Sequence, residues 1–175
     1  YVAVNDMAWI FNAESGQRIQ TVKTIKDKLS QHDYEWGYIG RIADSLIGSG
    51  TRKDSSYKSF WSGKMWYDGK GGDVGTQQVC SDFIFSYSLK EAQAVQSWRY
   101  EKGVILNPTI SCADQYLYFV ETRNPEIKNQ ESRRISHKSL WLDQFLVCID
   151  TDSGKIIWEK PLDTEDGLVT FYLQA

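Results

Sequence analysis

Residues 143–161 read DQFLVCIDTDSGKIIWEKP. Phe145, Val147 and Ile149 alternate with Leu146, Cys148 and Asp150, the period of a strand. Thr151-Asp152-Ser153-Gly154 follows. Asp and Ser can hydrogen-bond their own backbone in a turn, and Gly accepts positive φ without a Cβ clash. Lys155-Ile156-Ile157-Trp158-Glu159 then reads as a second strand, which Pro161 ends because it has no N–H for a ladder. The stretch is a β-hairpin, and a two-residue period puts Ile156 and Trp158 on one face.

The same phrase returns. Phe11-Asn12-Ala13-Glu14-Ser15-Gly16-Gln17-Arg18-Ile19 matches Ile149 to Ile157 in residue type. A third copy, Tyr87 to Trp98, lacks the glycine, and its Trp98 falls two residues later than Trp158 predicts; the first copy has Gln20 where the tryptophan is expected. Asp6, Asp44, Asp82, Asp114 and Asp143 each precede an alternating segment, at spacings of 38, 38, 32 and 29 residues. Aspartate recurring at strand entrances is turn chemistry.

In order, residues 1–22 read as the last strands of a unit, and 36–100 as a second unit with an insertion over 51–79. Residues 103–161 form a third with an insertion over 123–140, and 168–175 begin a fourth. Thr24-Ile25-Lys26-Asp27 has an N-cap pattern compatible with a short helix between 23 and 35. Each full unit supplies about four strands, the size of one blade of a β-propeller. Both ends of the chain are strand-like and look cut from something longer.

Composition agrees with sheets. Aromatic residues make up 14% of the 175, with seven Trp and ten Tyr, and such side chains favour strands. A net charge of −3 makes no electrostatic case for nucleic acid or a membrane surface, and no apolar run approaches the roughly 18 residues of a membrane span. Cys80, Cys112 and Cys148 are too far apart for a CxxC motif. They read as buried reduced thiols, with a Cys80–Cys112 bridge as the alternative because those two occupy matching repeat positions.

At Cys148-Ile149-Asp150-Thr151-Asp152-Ser153-Gly154-Lys155-Ile156-Ile157-Trp158, and at the hairpin Asn107 to Phe119, the chain resembles the pyrroloquinoline-quinone (PQQ) repeat family of β-propellers. The resemblance covers nearly all of the chain outside the insertions. It implies an all-β fold: a β-propeller fragment of about two full four-stranded blades with flanking half-blades. It also implies blade docking through Trp98, Gly154 and Trp158, and a periplasmic or exported setting. The implied function is a non-catalytic scaffold or interaction module of a larger bacterial protein, completed by the rest of the propeller or by a partner chain. It would bind a protein or carbohydrate through blade-top loops. The alternative is a fragment of a PQQ-dependent alcohol or sugar dehydrogenase whose cofactor residues lie outside the chain.

No catalytic, metal or cofactor-binding residue is marked out. The alcohol-type quinoproteins stack PQQ beneath adjacent cysteines and hold Ca²⁺ with oxygen ligands; no adjacent cysteines occur, and Asn107 and Asp114 read as turn residues. His32 and His137 are far apart in polar segments, so no histidine metal cluster forms. Asp68 to Asp73 lacks P-loop spacing. Paired carboxylates for a glycan lyase or hydrolase are not evident. No cofactor is expected.

The first insertion carries the candidate binding residues Arg52, Lys53, Lys58, Trp61, Lys64, Trp66 and Tyr67. Residues 51–72 hold five basic and two acidic groups, a net +3. Interleaved cations and aromatics could stack sugars or bases or take an anionic polymer; the richness of this loop in Gly and Ser favours instead a loop folded back over the blade top. The second insertion reads as a solvated or mobile loop.

Overall fold

The computed structural model describes residues 1–25, 30, 32–53, 80–90, 94–130 and 138–164. The described chain is mostly antiparallel β-structure in three sheets. The first contains β1 (Val2–Val4), β2 (Met7–Phe11) and β3 (Arg18–Lys23) in that order. The second contains β4 (Tyr34–Ile42), β5 (Ser45–Arg52), β7 (Phe83–Ser88) and β8 (Val95–Tyr100). The third runs β13 (Ile156–Pro161), β12 (Gln144–Asp150), β11 (Tyr116–Thr122), β9 (Val104–Leu106) and β6 (Cys80–Ser81), with β10 (Ser111–Ala113) also paired to β11. A 3-10 turn at Asn107–Thr109, with Pro108 inside it, separates β9 from β10. β6 lies at the edge of the third sheet and β7 in the second, so residues 80–88 join the two.

The sheets stack in chain order because the middle one is apolar on both faces. On β5 and β7, Leu46, Phe83 and Phe85 pack against Ala8, Ile10 and Val22 of the first sheet. Their neighbours Ile47 and Ile84 pack with Ile105, Leu117, Phe119, Val147 and Ile149 of the third. Gly48 and Gly50 make room for the first interface. A Cβ on Gly48 would sit 2.3 Å from the Trp36 ring, and one on Gly50 would sit 2.2 Å from Phe83. The cleared space lets Trp36 meet Phe85 edge-on at 5.0 Å and Tyr34 meet Phe83 at 4.8 Å. Each fully buried large side chain contributes about 1.5–3 kcal/mol.

The three outer hairpins share one irregularity. The ladder shifts register between Ile10 and Phe11, between Ser86 and Tyr87, and between Cys148 and Ile149. In each case the residue paired just before the shift is Gln20, Trp98 or Trp158. These three positions are therefore equivalent in the ladder, whatever the turn length before them. The bulge also corrects the simple alternation: Ile156 pairs with Ile149 while Trp158 pairs with Cys148, so the two lie on opposite faces.

The aligned aspartates are not equivalent. Asp6 and Asp44 are second in two-residue turns, behind the left-handed Asn5 (φ 54°) and Ala43 (φ 48°). Asp114 is itself the left-handed first residue (φ 52°) of the turn between Ala113 and Tyr116. Primed hairpin turns need this sign of φ, and alanine pays roughly 1–2 kcal/mol for it. Ala43→Gly is expected to raise stability by about 0.5–1 kcal/mol after the extra unfolded-state entropy is deducted, read as a higher urea midpoint at unchanged slope.

The second insertion is not a solvated loop over its described part. Asn124 caps α1 (Pro125–Asn129), accepting from the Glu126 amide at 3.0 Å. Ile127 of α1 and Leu140 of the 3-10 turn Lys138–Trp141 are fully buried with Val120, Val104 and Leu106 on the far face of the third sheet. None of Cys80, Cys112 and Cys148 is in a disulfide, so the Cys80–Cys112 bridge does not form. Burial raises the Cys112 thiol pKa, and its nearest polar neighbour is the Tyr38 hydroxyl at 3.7 Å. Residues 168–175, and 26–29 of the segment read as a short helix, lie outside the described residues.

Candidate functional site: a polar cleft at the root of the first insertion

Four chain segments meet where the first and second sheets end beside residue 53. They are the β1–β2 turn (Asn5, Asp6), the end of β3 (Lys23, Thr24), the approach to β4 with its first residues (Ser30, His32 to Glu35) and Lys53 beyond β5. Together they line a cleft of about 500 Å³. Backbone bonds fix its rim: Thr24 N–H donates to Asp6 O at 2.8 Å, Trp36 N–H to Asn5 O at 2.9 Å, and Lys53 N–H to Asp33 O at 2.9 Å.

The lining is mostly polar. Asp6, Asp33 and Glu35 supply carboxylates, Lys23 and Lys53 ammonium groups, and Thr24 and Ser30 hydroxyls. Thr24 is 6% exposed, and its Oγ1 has no hydrogen-bond partner. A buried hydroxyl without a partner costs about 1–3 kcal/mol. Tyr34 is engaged: its hydroxyl donates to Asp82 Oδ2 at 3.0 Å and lies 3.3 Å from Ser30 Oγ. Burial, with the Asp82 carboxylate adding to it, raises the Tyr34 pKa. A cleft offering donors and acceptors of both charges is suited to a hydroxyl-rich molecule and presents little surface to an apolar one.

The candidate residues read from the sequence divide here. Lys53 is exposed and lines the cleft. Arg52 turns inward: Nε donates to Asp82 Oδ2 and NH1 to Gln130 O at 2.7 Å, with the side chain 12% exposed. It ties β5 to the junction between β6 and β7 and to the end of α1. Lys58, Trp61, Lys64, Trp66 and Tyr67 lie outside the described residues. The cleft itself was not foreseen. Its parts come from positions 5 to 53, and no spacing in the sequence links them.

Asn107 and Asp114, weighed as oxygen ligands, are apart. Asn107 is buried in a neutral seam, where Ser49 Oγ and Ser81 Oγ donate to its Oδ1 at 3.0 and 2.7 Å and its Nδ2 donates to Thr51 Oγ1 at 3.3 Å. The seam closes only because residue 37 is glycine: a Cβ there would fall 2.2 Å from Thr51 Oγ1. Asp114 is exposed in its turn. No group of three metal-ligating side chains occurs among the described residues.

At the junction of the second and third sheets, Trp98 is 8% exposed. Its Nε1 donates to Thr151 O at 2.8 Å, and its ring covers Gly154, where a Cβ would lie 2.6 Å from Cδ2. Gly154 has φ 68° and its N–H returns to Asp150 O at 2.8 Å. The Ser153 hydroxyl and amide hold the Asp150 carboxyl below the usual range. Trp158 is half-buried on the opposite face of the third sheet, 6.0 Å from the Tyr118 ring.

A second titratable cluster lies behind it. Glu121 is fully buried and accepts from Tyr100 OH at 2.7 Å and from Arg123 Nε at 2.8 Å. Arg123 also makes a two-pronged pair with Glu159, at 2.9 and 2.7 Å, and its guanidinium lies 4.0 Å over the Phe145 ring. Among the described residues no helix is long and apolar enough to cross a membrane. Comparison with protein-family models, curated proteins and solved structures found no match for this chain.

Proposed function

We propose that the chain is a run of β-propeller blades acting as a non-catalytic scaffold and binding module, and that the cleft between the first two sheets takes a carbohydrate. The stacked sheets, with equivalent bulged hairpins and a Trp98–Gly154 junction, support the propeller. The first sheet is then a blade lacking its innermost strand, and the second and third sheets are blades with insertions. The likeness to PQQ-repeat scaffolds adds an exported, periplasmic setting and completion of the ring by further blades.

The observation that carries the binding reading is a polar lining that brings Lys23 and Lys53 together with Asp6, Asp33, Glu35 and the hydroxyl-bearing Thr24 and Ser30. Sugar hydroxyls both donate and accept, so they can satisfy such a lining without leaving a charge unpaired.

Titration with a panel of neutral and acidic oligosaccharides, followed by backbone amide NMR, tests this. Shifts are expected at Thr24, His32 and Lys53. Thr24→Val and Lys53→Ala should each weaken binding about tenfold, or 1.4 kcal/mol. Oligosaccharides that leave these amides unmoved would overturn the reading. Reconstitution with PQQ and Ca²⁺ tests the dehydrogenase alternative, which requires dye reduction with alcohols or aldoses.

A further inference from the structure

The charges of the cleft are set out by the two sheets that wall it. On the second sheet Tyr34 pairs with Arg52, so the next position places Asp33 opposite Lys53, and the Lys53 amide donates to Asp33 O at 2.9 Å. On the first sheet Met7 pairs with Lys23, so Asp6 stands opposite Thr24, whose amide donates to Asp6 O at 2.8 Å. Each wall therefore brings one lysine and one aspartate to the cleft. Opposite charges directly across a ladder, as Asp33 and Lys53 are, ordinarily pair. Here they do not. Among the described residues none of Asp6, Lys23, Asp33 and Lys53 has a side-chain ion pair or hydrogen bond. Glu35, the third carboxylate of the lining, already has a partner.

Two ammonium groups and two carboxylates thus face one cleft of about 500 Å³ without neutralising one another. That volume lies within the roughly 300–1,000 Å³ of small-molecule sites. A neutral sugar can hydrogen-bond to all four groups but neutralises none. A sugar with amines alone meets the carboxylates and is repelled by Lys23 and Lys53. A sugar with carboxylates alone meets the lysines and is repelled by Asp6 and Asp33. A molecule carrying both signs satisfies both sets and repels neither when its charges are spaced to match, the ordinary logic of electrostatic complementarity.

We infer that the sugar taken by this cleft is zwitterionic, with a free amine and a carboxylate in one molecule. The carboxylate meets a lysine and the amine an aspartate, while ring hydroxyls fill the hydrogen bonds between them. The inference rests on the carbohydrate reading of the cleft and adds the charge pattern of the ligand to it.

Backbone amide NMR titration with four oligosaccharides of one length is the test: one neutral, one bearing amines, one bearing carboxylates and one bearing both. At low salt the doubly charged sugar should bind about tenfold more tightly than the neutral one, the gain from two surface ion pairs. That advantage should vanish at about 1 M salt, where the screening length is about 3 Å. Lys53→Glu should turn the preference towards the amine-bearing sugar and Asp33→Lys towards the carboxylate-bearing one, each by about tenfold. Both positions are exposed, so both variants should keep the wild-type far-ultraviolet circular dichroism. Equal affinity for the neutral and doubly charged sugars at low salt overturns the inference and leaves the carbohydrate reading standing. So do preferences that neither variant changes. A zwitterionic dipeptide that binds as tightly as the doubly charged sugar also overturns it, because charge without hydroxyls would then suffice. A panel in which no sugar moves the Thr24, His32 or Lys53 amides removes both readings together.

Discussion

Trp98→Ala is expected to destabilise the chain by about 3–5 kcal/mol, the range for truncating a buried tryptophan. The side chain fills the junction of the second and third sheets within the cluster of Ile47, Ile84, Ile105 and Leu117. It also gives the Thr151 carbonyl its indole hydrogen bond. Trp98→Phe restores most of the volume but not the donor, so it should cost less, about 1–3 kcal/mol for the orphaned carbonyl and the smaller ring. Glycine substitutions separate packing from backbone strain. Gly154→Ala and Gly16→Ala place a Cβ at nearly the same left-handed φ, 68° and 67°. Only the first drives that Cβ into a neighbour, the Trp98 ring at 2.6 Å. Gly154→Ala should therefore exceed Gly16→Ala by about 1–3 kcal/mol, the cost of overpacking. Urea unfolding measures both. Equal effects of the two substitutions would mean that Trp98 does not bear on the Gly154 turn.

The hairpins were readable because their signals are local. Alternation over Phe145 to Asp150, a Ser-Gly turn and a terminal Pro each act within a few residues, and β12 and β13 form where they point. Equivalence of Trp98 and Trp158 was readable too, though only as a shared face. The bulge that makes them equivalent adds one residue to a ladder and leaves no compositional mark, so Ile156 was assigned the wrong side. Ile127 and Leu140 were hidden for another reason. Each is a single apolar residue among polar ones, and what buries them is a sheet face contributed by β9 and β11. The cleft was least legible. Asn5, Thr24, Asp33 and Lys53 are brought together by the packing of one sheet on another, and no period or spacing along the chain encodes that packing.

Arg123→Met is expected to cost about 3–5 kcal/mol at pH 7, the penalty for stranding a buried charge. Glu121 has no solvent contact and its Oε1 depends on Arg123 and Tyr100, while its Oε2 has no well-formed hydrogen bond although the Gly103 amide is near. Methionine keeps the apolar stem over Phe145 and removes only the charge. Burial already raises the Glu121 pKa in the wild-type chain, against the lowering by Tyr100 and Arg123. An acid raised on folding stabilises the fold below its unfolded pKa and loses that contribution as pH rises through the folded one. Without Arg123 the folded value rises further, so the variant's deficit should shrink as the pH is lowered towards 4. Glu121→Gln on the Arg123→Met background should recover most of the loss at pH 7, since a neutral amide needs no counter-ion. Glu159 behaves oppositely. The Arg123 pair, helped by Lys102, lowers its pKa to about 2. Its contribution is therefore present above the ordinary carboxylate value of 4.5 and lost as pH falls towards about 2. Glu159 is 31% exposed, so solvent screening limits Glu159→Gln to about 1 kcal/mol at pH 7, fading to nothing near pH 2. Thermal unfolding of the wild type and the three variants between pH 2 and 8 separates the two carboxylates by the sign of their slopes. A deficit in Arg123→Met that is flat across that range would mean that its cost is lost packing and not the buried charge of Glu121.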